Sequence, residues 1–243
     1  MKLTFSVFLI LFLGAGIIGC GSPTPELPQR PAPRENATLK QESELQAAQD
    51  TADLEEIVEN YEAPDRGNWQ KPGLVIQKMG DLSDKTVADI GFGSGFFSRR
   101  LAQIAEKVIA VEIDPRLIEY MDSVIALELA EPFQRRIETR LGTPTDSKLK
   151  DGEADIILLV NTYAWLNDRV GYLKHLRKKL APGGKIVIVD FKKKRIPQNQ
   201  GFPDAKYRIP LYVVENELEA AGFLNVVSDD QSLDYQYIVI ATP

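Results

Sequence analysis

Three glycines at alternate positions follow an aspartate in the run Val87-Ala88-Asp89-Ile90-Gly91-Phe92-Gly93-Ser94-Gly95. Glycines spaced this closely let a chain turn tightly and let a ligand reach the main chain. The dinucleotide fingerprint G-x-G-x-x-G sets its last glycine three residues after the second. Counted from Gly91 that place is Phe96, so the nicotinamide-type pattern fails. Some twenty residues on, the apolar run Lys107–Val111 ends at Glu112, followed by Ile113. A carboxylate at a strand end can accept hydrogen bonds from both hydroxyls of a ribose. A third apolar run, Asp155–Val160, ends at Asn161, with Tyr163 just beyond. Glycines, a ribose-type acid and a polar strand end together suit a ligand built on a nucleoside. Other chemistries lack their parts. His175 is the single histidine and Cys20 the single cysteine, so a zinc site of nitrogen and sulfur ligands and a histidine-based triad are both unsupported, and no metal is expected.

The elements that position these residues alternate in type from Gln70 to Pro243, the mark of a mostly parallel sheet with helices on both faces. Lys85–Ile90 and Lys107–Val111 read as strands. Between them a helix is expected with Phe97, Leu101 and Ile104 on its inner face. Asp114-Pro115 starts a helix whose apolar face is Leu117, Ile118, Met121 and Ile125, because aspartate caps free amides and proline suits the first turn. Arg136–Leu141 is a further strand, and Asp155–Val160 is apolar enough to be buried on both faces. Tyr172, Leu173, Leu176 and Leu180 mark a helix ending at Pro182-Gly183-Gly184, with His175 on its polar, solvent side. Lys185–Asp190 is a strand and Val213–Ala221 the last helix. Phe223–Val227 and Tyr235–Ile240 pair as a C-terminal antiparallel hairpin.

Asp89 with Gly91, Gly93 and Gly95 resembles motif I of the class I S-adenosylmethionine-dependent methyltransferases. Val111-Glu112-Ile113-Asp114-Pro115 resembles that family's second motif, Asp155–Asn161 its fourth, and Leu180–Val189 its turn into the fifth strand. The resemblance implies a Rossmann-like α/β fold and S-adenosylmethionine as cofactor. It implies cofactor contacts from Asp89, Gly91, Gly93, Gly95, Glu112, Ile113, Gly142, Thr143 and Asn161, and an acceptor pocket at Asn161 and Tyr163. A packing role for Tyr163 stands as an alternative. Many members place an acid just after the glycine here numbered 142, to meet the adenine amino group; this chain has Thr143 there and Asp146 three residues on. The adenine contact is then either backbone-made or supplied by Asp146. Asp65–Pro72 resembles a segment that covers the cofactor in a subgroup of bacterial members, with Trp69 either part of that cover or a core plug. That subgroup carries a histidine pair where Ala164 and Trp165 stand, so its role does not transfer. Lys192–Arg195 is either a solvated loop or a meeting place for acidic acceptors or lipid headgroups.

The N-terminus belongs to another category. Lys2 is the only charge before Cys20, and Leu3–Ile18 is almost wholly apolar, short of the ~20 residues that cross a bilayer. A basic start, an apolar stretch and a small-residue exit make an export signal. Ile17-Ile18-Gly19-Cys20 resembles the lipobox of bacterial lipoproteins, which implies cleavage before a lipidated Cys20 and attachment to an envelope membrane. The expected organisation is a signal peptide at 1–19, a proline-rich tether at 20–50 and a helical cap segment at 51–72, where Leu54, Ile57 and Val58 lie at helical spacing. The methyltransferase domain follows at 73–243. A net charge of −6 argues against nucleic acid as partner, since phosphate contacts need clustered cations. The acceptor implied is a small molecule or an envelope component. Two rivals remain: a protein of this fold that binds an adenosine ligand without catalysis, because the cofactor is made in the cytoplasm, and a nucleotide-dependent oxidoreductase, disfavoured by Phe96.

Overall fold

The computed structural model describes residues 53–197 and 202–243. Cys20, the 1–19 signal segment and the 20–50 tether lie outside them. Helix α1 (53–61) leads into α2 (Arg66–Gln70) and α3 (Pro72–Met79). Then come β1 (Thr86–Ile90), α4 (Ser98–Leu101), β2 (Lys107–Glu112), α5 (Pro115–Glu128), α6 (Glu131–Gln134) and β3 (Ile137–Leu141). After β4 (Ala154–Val160) follow α7 (Arg169–Lys179), β5 (Leu180–Phe191), α8 (Leu211–Ala220), β6 (Leu224–Asp229) and β7 (Gln236–Thr242). The seven strands form one sheet in the order β3-β2-β1-β4-β5-β7-β6. β1 to β5 are parallel, whereas β7 runs antiparallel between β5 and β6.

Both faces of the sheet are covered. On one, Ile157, Leu159, Ile186 and Ile188 pack with Leu173 and Leu176 of α7 and Val214 and Leu218 of α8. On the other, Val87, Val108, Leu158 and Val187 pack with Val75 and Met79 of α3 and Leu101 of α4. Burial on two sides is why these strands read as unbroken apolar runs. Helix α5 starts as its sequence requires: the Asp114 carboxylate accepts the Arg116 N–H at 2.9 Å and Pro115 occupies the first turn. Leu54, Ile57 and Val58 of α1 pack against a third cluster of Phe92, Ala110, Leu117 and Met121.

Three expectations need correction. Helix α4 is a single turn, and Ile104 is 44% exposed. The buried set is Phe97, Ser98, Leu101, Ala102 and Ala105; this i, i+1, i+4, i+5, i+8 spacing rotates position 104 outward. Pro182-Gly183-Gly184 is no simple exit from a helix. β5 already begins at Leu180, and between the pairs Ala154–Leu180 and Ile156–Lys185 it bulges against β4. Gly184 permits that approach, since a Cβ there would stand 2.8 Å from the Asp155 carbonyl oxygen. His175 is not simply solvated: its Nε2 lies 3.1 Å from the Ser147 backbone N and 2.9 Å from Ser147 Oγ, and its ring stacks on Tyr172.

Candidate functional site

Strands β1, β2, β4 and β5 run the same way, so Ile90, Glu112, Val160 and Phe191 end on one edge of the sheet. The chain builds outward from β1 to β3 on one side and from β4 to β5 on the other. A crevice therefore opens beyond the β1/β4 pair, where ligands bind in open parallel sheets. A cavity of about 390 Å³ occupies that position. At its floor the loops after β1 and β4 touch: a Cβ on Gly91 would stand 2.5 Å from both Thr162 Oγ1 and Cγ2. Gly91 and Gly93 also have φ of +72° and +60°, a conformation that favours glycine.

Glu112 sits at the cavity wall and is 9% exposed. Its Oε2 accepts the Gly93 N–H at 3.1 Å and its Oε1 the Ile113 N–H at 2.7 Å, so one carboxylate ties the glycine loop to the end of β2. Asp89 also lines the cavity, with Ser98 Oγ donating to it at 2.6 Å. Burial pushes its carboxyl up to about 6, against the opposing pull of Ser98 and Arg66. Ile113 and Thr143 line the cavity as well. Gly95 and Gly142 do not; they serve packing. A Cβ on Gly95 would lie 2.2 Å from Met121 Sδ, and one on Gly142 would lie 2.9 Å from Val111 Cγ1. Asp146 is also off the wall, its carboxylate bonded to the Lys148 N–H and ammonium. Of the two routes to an adenine, only the Thr143 segment reaches the cavity.

Asn161 lines the cavity at φ +59°. Tyr163 does not. It is fully buried, and its hydroxyl donates to Glu217 Oε2 at 2.5 Å, beside the bidentate Arg169–Glu217 pair. The packing alternative is thus what the geometry places at this residue. The 3₁₀ turn of Tyr163–Trp165 carries Tyr163 inward and leaves Trp165 outward at 59% exposure. The polar group at this end is instead Asp190, the penultimate residue of β5. It is 1% exposed and accepts the Phe191 N–H at 2.7 Å and the Ala164 N–H at 3.1 Å. Desolvation raises its carboxyl to about 6.

The segment before the sheet closes the cavity: Asn60, Tyr61, Arg66 and Trp69 all line it. Trp69 meets Phe191 and Phe202 at ring-centroid distances of 5.6 and 4.8 Å; it is both cover and plug. Its indole Nε1 is buried without a partner. Arg66 lies 4.2 Å over the Phe96 ring and donates to the Tyr61 carbonyl and to Gln70 Oε1. Burial lowers its guanidinium to about 10, so it stays charged at neutral pH. From Gln70 a chain of amides continues to Gln236 Oε1 at 3.1 Å, and from Gln236 Nε2 to Asn161 Oδ1 at 2.5 Å. Sequence reasoning missed Gln236, Thr162 and Phe202. No local pattern marks them, because each acts on a partner far along the chain.

The residues present fit the cofactor that the motifs imply. A carboxylate with oxygens anchored by backbone amides stands where a ribose would be held, glycines bare the main chain beside it, and a second buried acid lies at Asp89. Among the described residues no three His, Cys, Asp or Glu side chains gather as a metal site. Residues 88–188 match the family described as a methyltransferase domain. A demethylmenaquinone methyltransferase of Tropheryma whipplei is 30% identical over 124 residues, 51% of this chain and 48% of that protein. The chain thus spans about half the length of the curated relatives it matches first. A SAM-dependent methyltransferase from Aquifex aeolicus shares the fold with a TM-score of 0.67 at 24% identity, over 76% of this chain and 95% of that one. Haemonchus contortus phosphoethanolamine N-methyltransferase 2, in complex with S-adenosyl-L-methionine, superposes with a TM-score of 0.58 at 13% identity, over 72% of this chain and 52% of that one. Residues 88–188, set on this sheet and around this cavity, thus match a methyltransferase domain, and solved S-adenosylmethionine-dependent methyltransferases share the fold.

Proposed function

We propose that the protein transfers a methyl group from S-adenosylmethionine to a small-molecule or envelope-associated acceptor, while tethered to a bacterial membrane through a lipidated Cys20. The observation that carries the reading is the junction of Glu112 with the glycine loop at the β1/β4 crevice. Glu112 would hold the ribose, Gly91 and Gly93 would give close approach, and Ile113 and Thr143 would flank the adenine. Asp89 would serve the amino-acid end. The cofactor brings a methyl group already activated on a positive sulfur. The protein's task is then to orient an acceptor and exclude water. Trp69, Phe202 and the 53–70 segment keep water out, and Asn161, fixed by Gln236, lines the acceptor side.

Calorimetry with S-adenosylhomocysteine, followed by transfer of labelled methyl from S-adenosylmethionine into envelope extracts, tests the reading. Binding and label incorporation are expected; binding of a nicotinamide dinucleotide in place of S-adenosylhomocysteine would overturn it. The tether rests on the Ile-Ile-Gly-Cys sequence. Intact-mass measurement of the membrane-extracted protein is expected to give a chain starting at a lipid-modified Cys20, and Cys20→Ala is expected to release the protein or leave it uncleaved.

A further inference from the structure

The cavity wall carries four charged side chains: Asp89, Glu112, Asp190 and Arg66. Three of them have work. Arg66 is held by Gln70, the Tyr61 carbonyl and the Phe96 ring. Asp89 takes the Ser98 hydroxyl and feels the Arg66 charge, and Glu112 knits the glycine loop. Asp190 differs. It is buried as deeply as Asp89, yet among the described residues only two backbone amides reach it and no cationic side chain acts on it. An ionised carboxylate in that state is costly unless a cation joins it.

Next to it stands an aromatic wall. Phe191 adjoins Asp190 in sequence, and Trp69, Phe191 and Phe202 are in mutual ring contact at 4.8 to 5.6 Å, all three lining the cavity. Aromatic faces attract organic cations. The rings alone would accept a neutral apolar group equally well; the unpaired carboxylate decides between the two.

We propose that the acceptor carries a cationic amine, lodged between the Asp190 carboxylate and the wall of Trp69, Phe191 and Phe202. This rests on reading the cavity as a methyl-acceptor pocket and adds its substrate class. Burial raises the Asp190 carboxyl only to about 6, which leaves it mostly ionised at neutral pH.

The test uses the full chain and two probes of one shape: choline, a permanent cation, and 3,3-dimethylbutan-1-ol, its neutral counterpart. Affinities are measured by calorimetry with and without S-adenosylhomocysteine. Choline is expected to bind at least about tenfold tighter, a difference of about 1.4 kcal/mol. That preference is expected to vanish in Asp190→Asn and to shrink in Trp69→Leu. Equal affinity of the two probes in the unaltered protein overturns the proposal without any variant, and so does a preference that survives Asp190→Asn in a protein with an unchanged melting point. If S-adenosylhomocysteine binds while choline shows no preference, the amine assignment fails and the cofactor reading stands. If choline is preferred while S-adenosylhomocysteine does not bind, the cation subsite holds and the cofactor reading fails.

Discussion

Glu112 has two duties, and they can be separated by experiment. Its carboxylate fixes Gly93 and Ile113 and is also the group offered to the ribose. Glu112→Ala should weaken S-adenosylhomocysteine binding by about 1.5–3 kcal/mol, the worth of hydrogen bonds to a charged group, which is roughly 10- to 150-fold. Calorimetry reads this directly, and an unchanged affinity would remove Glu112 from the site. Gly93→Val should be worse. The added side chain would meet the Tyr61 ring, already 2.9 Å from a bare Cβ, at a backbone φ of +60°. Tyr163 gives the opposite case. Its hydroxyl serves the half-buried Glu217–Arg169 pair, so Tyr163→Phe should lower stability by about 1.5 kcal/mol and leave S-adenosylhomocysteine affinity alone. A chemical melt and a binding isotherm on the same variant check both halves.

At the scale of elements, the first helix is as much a wall of the site as any strand end. Leu54, Ile57 and Val58 seat α1 on Phe92 and Met121. Just beyond its end, Glu62 hooks it to the glycine loop and α4 by accepting Ser94 Oγ at 2.6 Å and the Arg99 guanidinium at 2.5 Å. A chain lacking residues 53–62 keeps the whole sheet but loses Asn60 and Tyr61 from the cavity. It should remain folded by circular dichroism yet bind S-adenosylhomocysteine more weakly; equal affinity would make α1 a bystander. The strands were legible because each central one is mostly apolar, with its acid near one end, and α1 because three apolar residues share one face. Helix α4 was misread because Phe97, Leu101 and Ile104 form as plausible a stripe as Phe97, Leu101 and Ala105, and small buried alanines give a weak signal. The Gln70–Gln236–Asn161 chain was not legible at all, since Gln70 and Gln236 lie 166 positions apart and only the sheet order joins them. Asp190 could be seen at a strand end, but its lack of a cation is a property of the folded neighbourhood.

For the whole molecule, two buried acids set the response to pH. Asp89 and Asp190 both titrate near 6 in the folded protein, above the usual value of 3.8, because burial disfavours their charge. Between those limits these two sites bind more protons in the folded chain than in the unfolded one, so their contribution to stability falls as pH rises; burial lowers the pKa of the His175 ring and pulls the other way. Their contribution is fully present below 3.8 and is lost as pH climbs through 6, amounting to about 3 kcal/mol each as an upper figure. Asp229 works the other way. Lys78 and Ser232 hold its carboxyl far below the ordinary range, so its stabilisation is present above pH 3.8 and fades as pH falls toward its folded value. The melting temperature is therefore expected to be higher at pH 5 than at pH 7.5, and Asp190→Asn should flatten that slope. A melt that falls on going from pH 7.5 to 5 would contradict the sign.

The place of β7 has a bearing on when the sheet can be completed. It lies between β5 and β6, and Tyr237, Ile238 and Val239 are buried there, yet it is the last of the seven strands to leave the ribosome. Until it arrives, β3, β2, β1, β4 and β5 can pair, but β5 has an open side and β6 has no neighbour. The far end of the sheet is then sealed last. An exposed strand edge is a template for pairing with another chain, so the arrival of β7 is what ends that hazard for β5.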